Sequence, residues 1–414
     1  MIIGPVFFVC ASFVTHTFST TDDGSDVNDP MYDVFVVGAG FSKPAGIPLT
    51  SELFRLLVCE AKAIDACHNI LEPDVRHYIQ YYNSTHTTPI AADDINIEGF
   101  MSYLDIEHYL SLKGSDTWSE EGNRSQILVK HLIAKIIFDR MSSIASDQQK
   151  LYDLFATHLD PGDIVITFNY DTLIEDALKR NGKPYRLFLD RLISVDESSG
   201  IVDTETKEVI LLKMHGSIDW FDRTYFDNNL RLNQNAPYWQ LPNHTIFSNQ
   251  SDFLPEKIIN GPYFSDSPLQ RLYKVRNLDR YFKMRNYVSS PPLILSPSFS
   301  KIVYLNPLKE FWNSFYSAGP LNRMVAIIGF SLPEHDEYVK LPLFSLIHSF
   351  QNVEPNLPSL KKTRLKIVDL RKDGVDLQTY KQRYSFVDWN RADCCFEGFG
   401  QNAINMIFEK PTDE

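Results

Sequence analysis

The sequence predicts an α/β fold: a Rossmann-like parallel sheet covered by helices, with a helical module inserted after the first strand. Three observations carry that expectation. Short apolar runs at 34–37, 164–168, 209–214, 325–328 and 365–368 lack polar alternation, as strands buried on both faces do. Helical stretches separate them, which favours parallel crossover connections. Each run ends in glycine or a polar residue: Gly38 and Gly40, Asn169 and Asp171, His215, Ser331, Asp369. Ligands of open parallel sheets bind beyond the carboxyl ends of the strands, so these residues are expected to wall one pocket.

In chain order, VFVV at 34–37 forms the first strand and runs into Gly38-Ala39-Gly40. Turns at Pro44, Gly46 and Pro48 come next, and Thr50 or Ser51 is expected to cap a helix with Leu53, Leu56 and Leu57 on one face. The pattern stays helical to about residue 150, broken near 85–94 and 114–123, which defines a helical insertion over about 52–150. Strand 164–168 precedes a helix from Thr172 to Arg180 that Asn181-Gly182 stops. Strand 209–214 leads into His215-Gly216, and residues 222–290, rich in Asn, Pro and aromatics, read as an irregular insertion. Residues 292–295 and 325–328 read as strands; the second enters Gly329-Phe330-Ser331 and a helix with Pro333, Glu334 and Asp336 at its start. Strand 365–368 is the last. The domain thus covers 32–400, between an N-terminal extension over 1–31 and a C-terminal tail over 401–414.

Of the 414 residues, 43% are hydrophobic and 13% aromatic, enough for a large core. A formal charge of -13 denies the chain the broad positive field that phosphate-backbone binding needs. Direct nucleic-acid binding is therefore not expected. The basic group Arg271, Lys274, Arg276, Arg280, Lys283 and Arg285 reads first as a solvated helix and second as a partner contact. Cys10, Cys59, Cys67, Cys394 and Cys395 form no Cys-x-x-Cys pair, so no zinc-binding module is expected. Adjacent Cys394 and Cys395 read as free thiols of a reducing compartment, the cytoplasm. The apolar run at 2–14 is too short to cross a bilayer as a helix, and no basic residue precedes it. An ordered extra element, a start upstream of the true Met31 and a cleaved signal are its open readings, and no membrane association is expected. Trp118 and Trp220 read as packing residues.

GAGFSK at 38–43 offers glycines for close approach to a pyrophosphate, but Lys43 holds the place of a third glycine. Alone, FNYD at 168–171 fits a turn, and HGS at 215–217 fits a satisfied core histidine. In combination and in this order, GAGFS, TFNYD and a strand leading into HGS resemble the sirtuin (silent-information-regulator) family, from about Val34 to Asp369. The resemblance implies that Gly38, Ala39, Gly40, Phe41 and Ser42 bind NAD and that Asn169 and Asp171 contact its nicotinamide ribose. It makes His215 the catalytic base and Asn169 the second catalytic residue, brings Gly329 and Ser331 near the adenosine ribose, and counts Asp369 among the cofactor-binding residues. Asp369 stands where the family usually has Asn, and DIEHYLS at 105–111 is similar to a segment of its bacterial branch. The family's protein deacetylases carry four zinc-binding cysteines that this chain lacks. It is more similar to the bacterial sirtuin-like proteins of antiphage defence, which hydrolyse NAD. That likeness implies an NAD glycohydrolase with NAD as substrate, restrained as a homo-oligomer or by a partner such as a HerA-type ATPase. NAD-dependent deacylation or ADP-ribosyl transfer, and non-enzymatic NAD or ADP-ribose sensing, are the alternatives.

Overall fold

The run YDVFVV becomes β1 (Tyr32–Val37), buried from Asp33 onward because both of its faces are covered. The computed structural model describes residues 32–114, 122–187, 207–224, 226–228, 246–247, 253–259, 267–283, 291–317, 322–352, 362–372 and 374–409. After β1 come β2 (Ile164–Thr167), β3 (Tyr185–Arg186), β4 (Val209–Lys213), β5 (Trp220–Asp222), β6 (Pro255–Lys257) and β7 (Leu272–Val275). β8 (Asn322–Ile328), β9 (Leu365–Val368) and β10 (Ala392–Cys395) complete the strands. Seven of them form one sheet, ordered β10-β9-β8-β1-β2-β4-β3, and every pairing in it is parallel. From β1 the chain moves outward through β2 to β4, then returns to β8 on the other flank of β1. That reversal opens a crevice beyond the carboxyl ends of β1 and β8.

Helices α1 (Ala39–Ser42), α2 (Thr50–Lys62), α3 (Asp65–Thr85), α4 (Ile97–Tyr109), α5 (Arg124–Ser142) and α6 (Ser146–Thr157) separate β1 from β2. These helices lie in the region read as a helical insertion, and α3 ends at Thr85, where the first break was expected. Neither Thr50 nor Ser51 caps α2. The Glu52 carboxylate reaches back to accept the Leu49 N–H at 2.8 Å instead. Next come α7 (Leu173–Arg180), α8 (Leu278–Phe282), α9 (Lys309–Ser317), α10 (Glu337–Asn352), α11 (Gly374–Arg383) and α12 (Gln401–Phe408). α10 starts later than expected: Pro333 to Asp336 form a turn ahead of it, closed by Asp336 N–H to Pro333 C=O.

Three further segments differ from expectation. β6 and β7 lie within 222–290 and form a small antiparallel sheet with β5, which ends at Asp222; strands of three or four residues leave too little periodicity to read. Residues 292–295 make only an isolated bridge, Ile294 to Gly216, since Pro291 and Pro292 have no N–H to offer a ladder. The expected tail at 401–414 contains α12, whose Ala403, Ile404 and Ile407 are buried. Phe408 packs against Phe35, with ring centroids 5.7 Å apart, so this segment belongs to the core under the sheet. Residues 1–31, Trp118 and Arg285 lie outside the described residues. Trp220 is a packing residue, fully buried and stacked on Phe311. The basic group is not one helix: Lys274 lies on β7 and pairs with buried Asp219 at 3.0 Å, and Lys283 pairs with Asp279 at 2.7 Å. Among the described residues no helix is long and apolar enough to cross a membrane.

Candidate functional site

The turns after β1 and β8 touch. Gly40 N–H donates to Gly329 C=O at 2.8 Å, and Gly38 N–H to Ile328 C=O at 2.9 Å. A Cβ on Gly40 would meet Gly329 Cα at 2.7 Å; one on Gly329, at φ 62°, would meet Phe41 N at 2.3 Å. Contact between the two turns therefore demands these glycines before any ligand does. It also commits the amides of Gly38 and Gly40 internally, as Phe41 N–H is committed to Gly38 C=O. Phe41 turns its ring into the core, between Tyr152, Phe155 and Phe399 at centroid distances of 5.2, 5.3 and 4.3 Å. Its part is packing.

Around these turns lies a cavity of about 920 Å³. Of the residues singled out from the sequence, Ala39, Gly40, Ser42, Asn169, Asp171, His215, Gly329, Ser331 and Asp369 line it, and Gly38 and Phe41 do not. Phe168 and Phe330, stacked at 4.5 Å, bridge the ends of β2 and β8 in its wall. A second cavity, about 980 Å³, lies against β3 and the small sheet, where none of these strand-end residues reaches it. Volume alone does not choose between the two; the convergence of strand ends favours the first.

One hydrogen-bond chain orders the reactive side groups. Gly38 C=O can only accept, so the Asn169 group 2.9 Å from it is the amide nitrogen. The second amide hydrogen reaches Ser42 Oγ at 2.9 Å. Ser42 in turn gives its own hydrogen to Asp171 Oδ2 at 2.7 Å, while Asp171 Oδ1 accepts Leu173 N–H at 3.2 Å. Both Asn169 hydrogens are thus committed, and among the described residues its Oδ1 is left as an open acceptor on a residue that lines the cavity. Asp171 was expected to contact a ribose directly; here its two oxygens hold the chain in place. Burial raises the Asp171 carboxyl pKa, against the opposing pull of Lys213, Ser42 and Leu173 N–H. Because both oxygens accept, the ionised form fits the geometry.

Lys213 and Glu175 support this turn from below. Lys213 is fully buried; its Nζ donates to Asp171 C=O and sits 2.9 Å from Glu175 Oε1. The sequence signal for this pair was a lysine closing the apolar run VILLK and a glutamate in a buried helical position. Neither says where its partner lies.

His215 follows β4 and places its ring edge-on to Phe168 at 5.0 Å. Its Nε2 lies 3.0 Å from the Tyr338 hydroxyl. Burial holds the imidazole well below its usual pKa, helped by the Lys301 charge and opposed by a hydrogen bond with the Phe168 backbone. His215 is therefore neutral near pH 7. Lys301 is itself buried, 2.9 Å from Asp336 and 3.4 Å from Glu98, and all three line the cavity. Sequence reasoning missed Lys301, Glu98 and Tyr338, which meet His215's surroundings only through the fold.

On the other flank, Asp369 accepts Leu370 N–H at 2.7 Å and Arg371 at 2.9 Å. Arg371 also reaches Asp376 at 3.0 Å and lies 4.3 Å over the Tyr380 ring. The cavity thus runs from Asn169 and His215 at one end to Ser331, Asp369 and Arg371 at the other. Among the described residues, no group of three or more His, Cys, Asp or Glu is placed to hold a metal ion.

Residues 163–252 match the model of the SIR2-like domain, a family whose members are generally NAD-dependent enzymes. The matched segment contains Asn169, Asp171 and His215 and leaves out the 38–42 turn. It supports a sirtuin-like fold. No curated protein matches the chain.

Proposed function

We propose that this chain hydrolyses NAD at the nicotinamide–ribose bond, giving nicotinamide and ADP-ribose. The observation that carries the reading is the open Asn169 Oδ1, held in place by Ser42 and Gly38 in the same cavity as a neutral His215. A volume of about 920 Å³ suits a dinucleotide-sized ligand, within the roughly 300–1,000 Å³ of small-molecule sites. Nicotinamide leaves neutral, taking the bonding electrons with it, so the reaction needs no general acid of the kind ordinary glycosides require. Asn169 Oδ1 accepts from the attacking water or a ribose hydroxyl. As the water oxygen bonds to the ribose carbon, His215 takes its proton, help worth about 10²–10⁴ in rate. The carboxylates of Asp171, Glu98 and Asp336 outnumber the Lys301 ammonium at this end, which favours the positive charge that develops on the ribose. Ser331 and Asp369 take the adenosine side.

We extend the reading to a role as an abortive-infection effector of antiphage defence, in the cytoplasm. It is supported by the ordered GAGFS, TFNYD and HGS motifs and by the need to restrain an enzyme that destroys an essential cofactor. Restraint would come from homo-oligomerisation or from a partner of the HerA ATPase type. Incubating the full chain with NAD and separating the products by chromatography tests the reaction. Nicotinamide with ADP-ribose is the expected result. Nicotinamide appearing only with an acylated peptide would make the chain a deacylase, and binding without products would make it a sensor.

A further inference from the structure

Tyr338 does not line the cavity, yet its hydroxyl touches His215, the one imidazole lining it among the described residues. A neutral imidazole offers one N–H and one lone pair. The bond to the Phe168 backbone favours a protonated ring nitrogen, as a donated N–H does. With that bond made by Nδ1–H, the lone pair lies on Nε2, 3.0 Å from the Tyr338 hydroxyl, which can donate to it. We infer that Tyr338 is a positioning residue that holds His215 in a resting arrangement, its hydroxyl occupying the lone pair on which the proposed hydrolysis depends. The inference deepens the NAD-cleaving reading and rests on it.

A neutral imidazole has a single lone pair, so His215 cannot accept a proton from water while Tyr338 fills it. A relay through Tyr338 would need its hydroxyl to give up a proton readily. Burial, with the Asp336, Tyr170 and Glu98 oxygens nearby, pushes that hydroxyl far above its ordinary range. Tyr338 is thus a poor relay and an effective cap.

Its position makes the cap releasable. Tyr338 is the second residue of α10 and lies two residues after Asp336, which holds Lys301 at 2.9 Å. The connection from β8 to α10 carries Gly329 at φ 62° and the buried Leu332 at φ 45°. A leucine in the left-handed region is unfavourable and persists only where its surroundings impose it. Movement of this connection would lift Tyr338 from His215 and loosen Asp336 from Lys301 together.

The test compares the full chain with Tyr338→Phe, by nicotinamide release and by ¹⁵N-histidine NMR, the His215 signals being assigned by their loss in His215→Ala. The expected result is release that rises roughly 3- to 10-fold at subsaturating NAD, mainly through a lower KM, the worth of one neutral hydrogen bond. The Nε2 resonance should move as its donor is removed. Release that stays level or falls overturns the inference, whatever the resonance does. If neither protein releases nicotinamide, the NAD-cleaving reading has failed. The resonance alone then decides the contact: a moved signal keeps Tyr338 on His215, and an unmoved one removes it. Tyr338→Met repeats the comparison if Tyr338→Phe does not fold.

Discussion

Two buried polar clusters sit at opposite ends of the same central strands, and they differ in one respect. At the amino ends, Arg323 holds Asp33 through two nitrogens, at 3.0 and 2.6 Å. Asp163 accepts the N–H groups of Asp33 and Asp160, at 2.9 and 2.8 Å. Every carboxylate oxygen of Asp33 and Asp163 has a donor from the protein. At the carboxyl ends, Asp171, Ser42 and Asn169 are linked just as closely, but Asn169 Oδ1 has no partner among the described residues and its residue lines a cavity. Buried charge alone marks what a fold needs. A fixed acceptor left open beside a cavity marks what it can bind.

The comparison breaks most sharply at His215. His215→Ala should lower nicotinamide release about 10²–10⁴-fold while leaving the melting temperature near that of the wild type. Ser42→Ala should come next. It removes a hydrogen bond to a charged group and frees Asn169 to turn, for a loss of about 10- to 100-fold, read as kcat/KM on folded protein. At the closed end the outcome should invert. Arg323→Ala strands the buried Asp33 carboxylate and should cost about 1–3 kcal/mol in urea unfolding, with turnover per folded molecule unchanged. The smallest effect is on pH dependence. Burial, reinforced by Lys301, keeps the His215 pKa well below its usual 6.5. The neutral base should therefore persist as pH falls, and release should hold nearly level from about pH 8 to about pH 6. The same shift lowers stability on acidification: below about pH 6.5 the unfolded chain binds a proton that folded His215 refuses, so melting temperature should drop there.

Much of the sheet was legible in the sequence because strands buried on both faces are short unbroken apolar runs, and their polar ends stand out against them. Asn169, Asp171 and His215 were found that way, and the fold brings all three to one cavity. Their division of labour was not legible. Nothing local in FNYD says that Asp171 is occupied by Ser42 from 129 positions away, or that the glycines at 40 and 329 face each other. Lys213 and Lys301 were hidden for a related reason: a buried lysine is stabilised by carboxylates distant in the chain. The short strands β3, β5, β6, β7 and β10 escaped because two to four residues carry no usable period.

The central claim is that the strand ends converge on NAD, with Asn169 Oδ1 turned toward it. Its most direct test is nicotinamide release from NAD by the purified full chain beside Asn169→Ala, with both shown to be folded. The account predicts release by the wild type and its loss in the variant. Equal release from both, or a wild type that neither binds nor cleaves NAD, would contradict it.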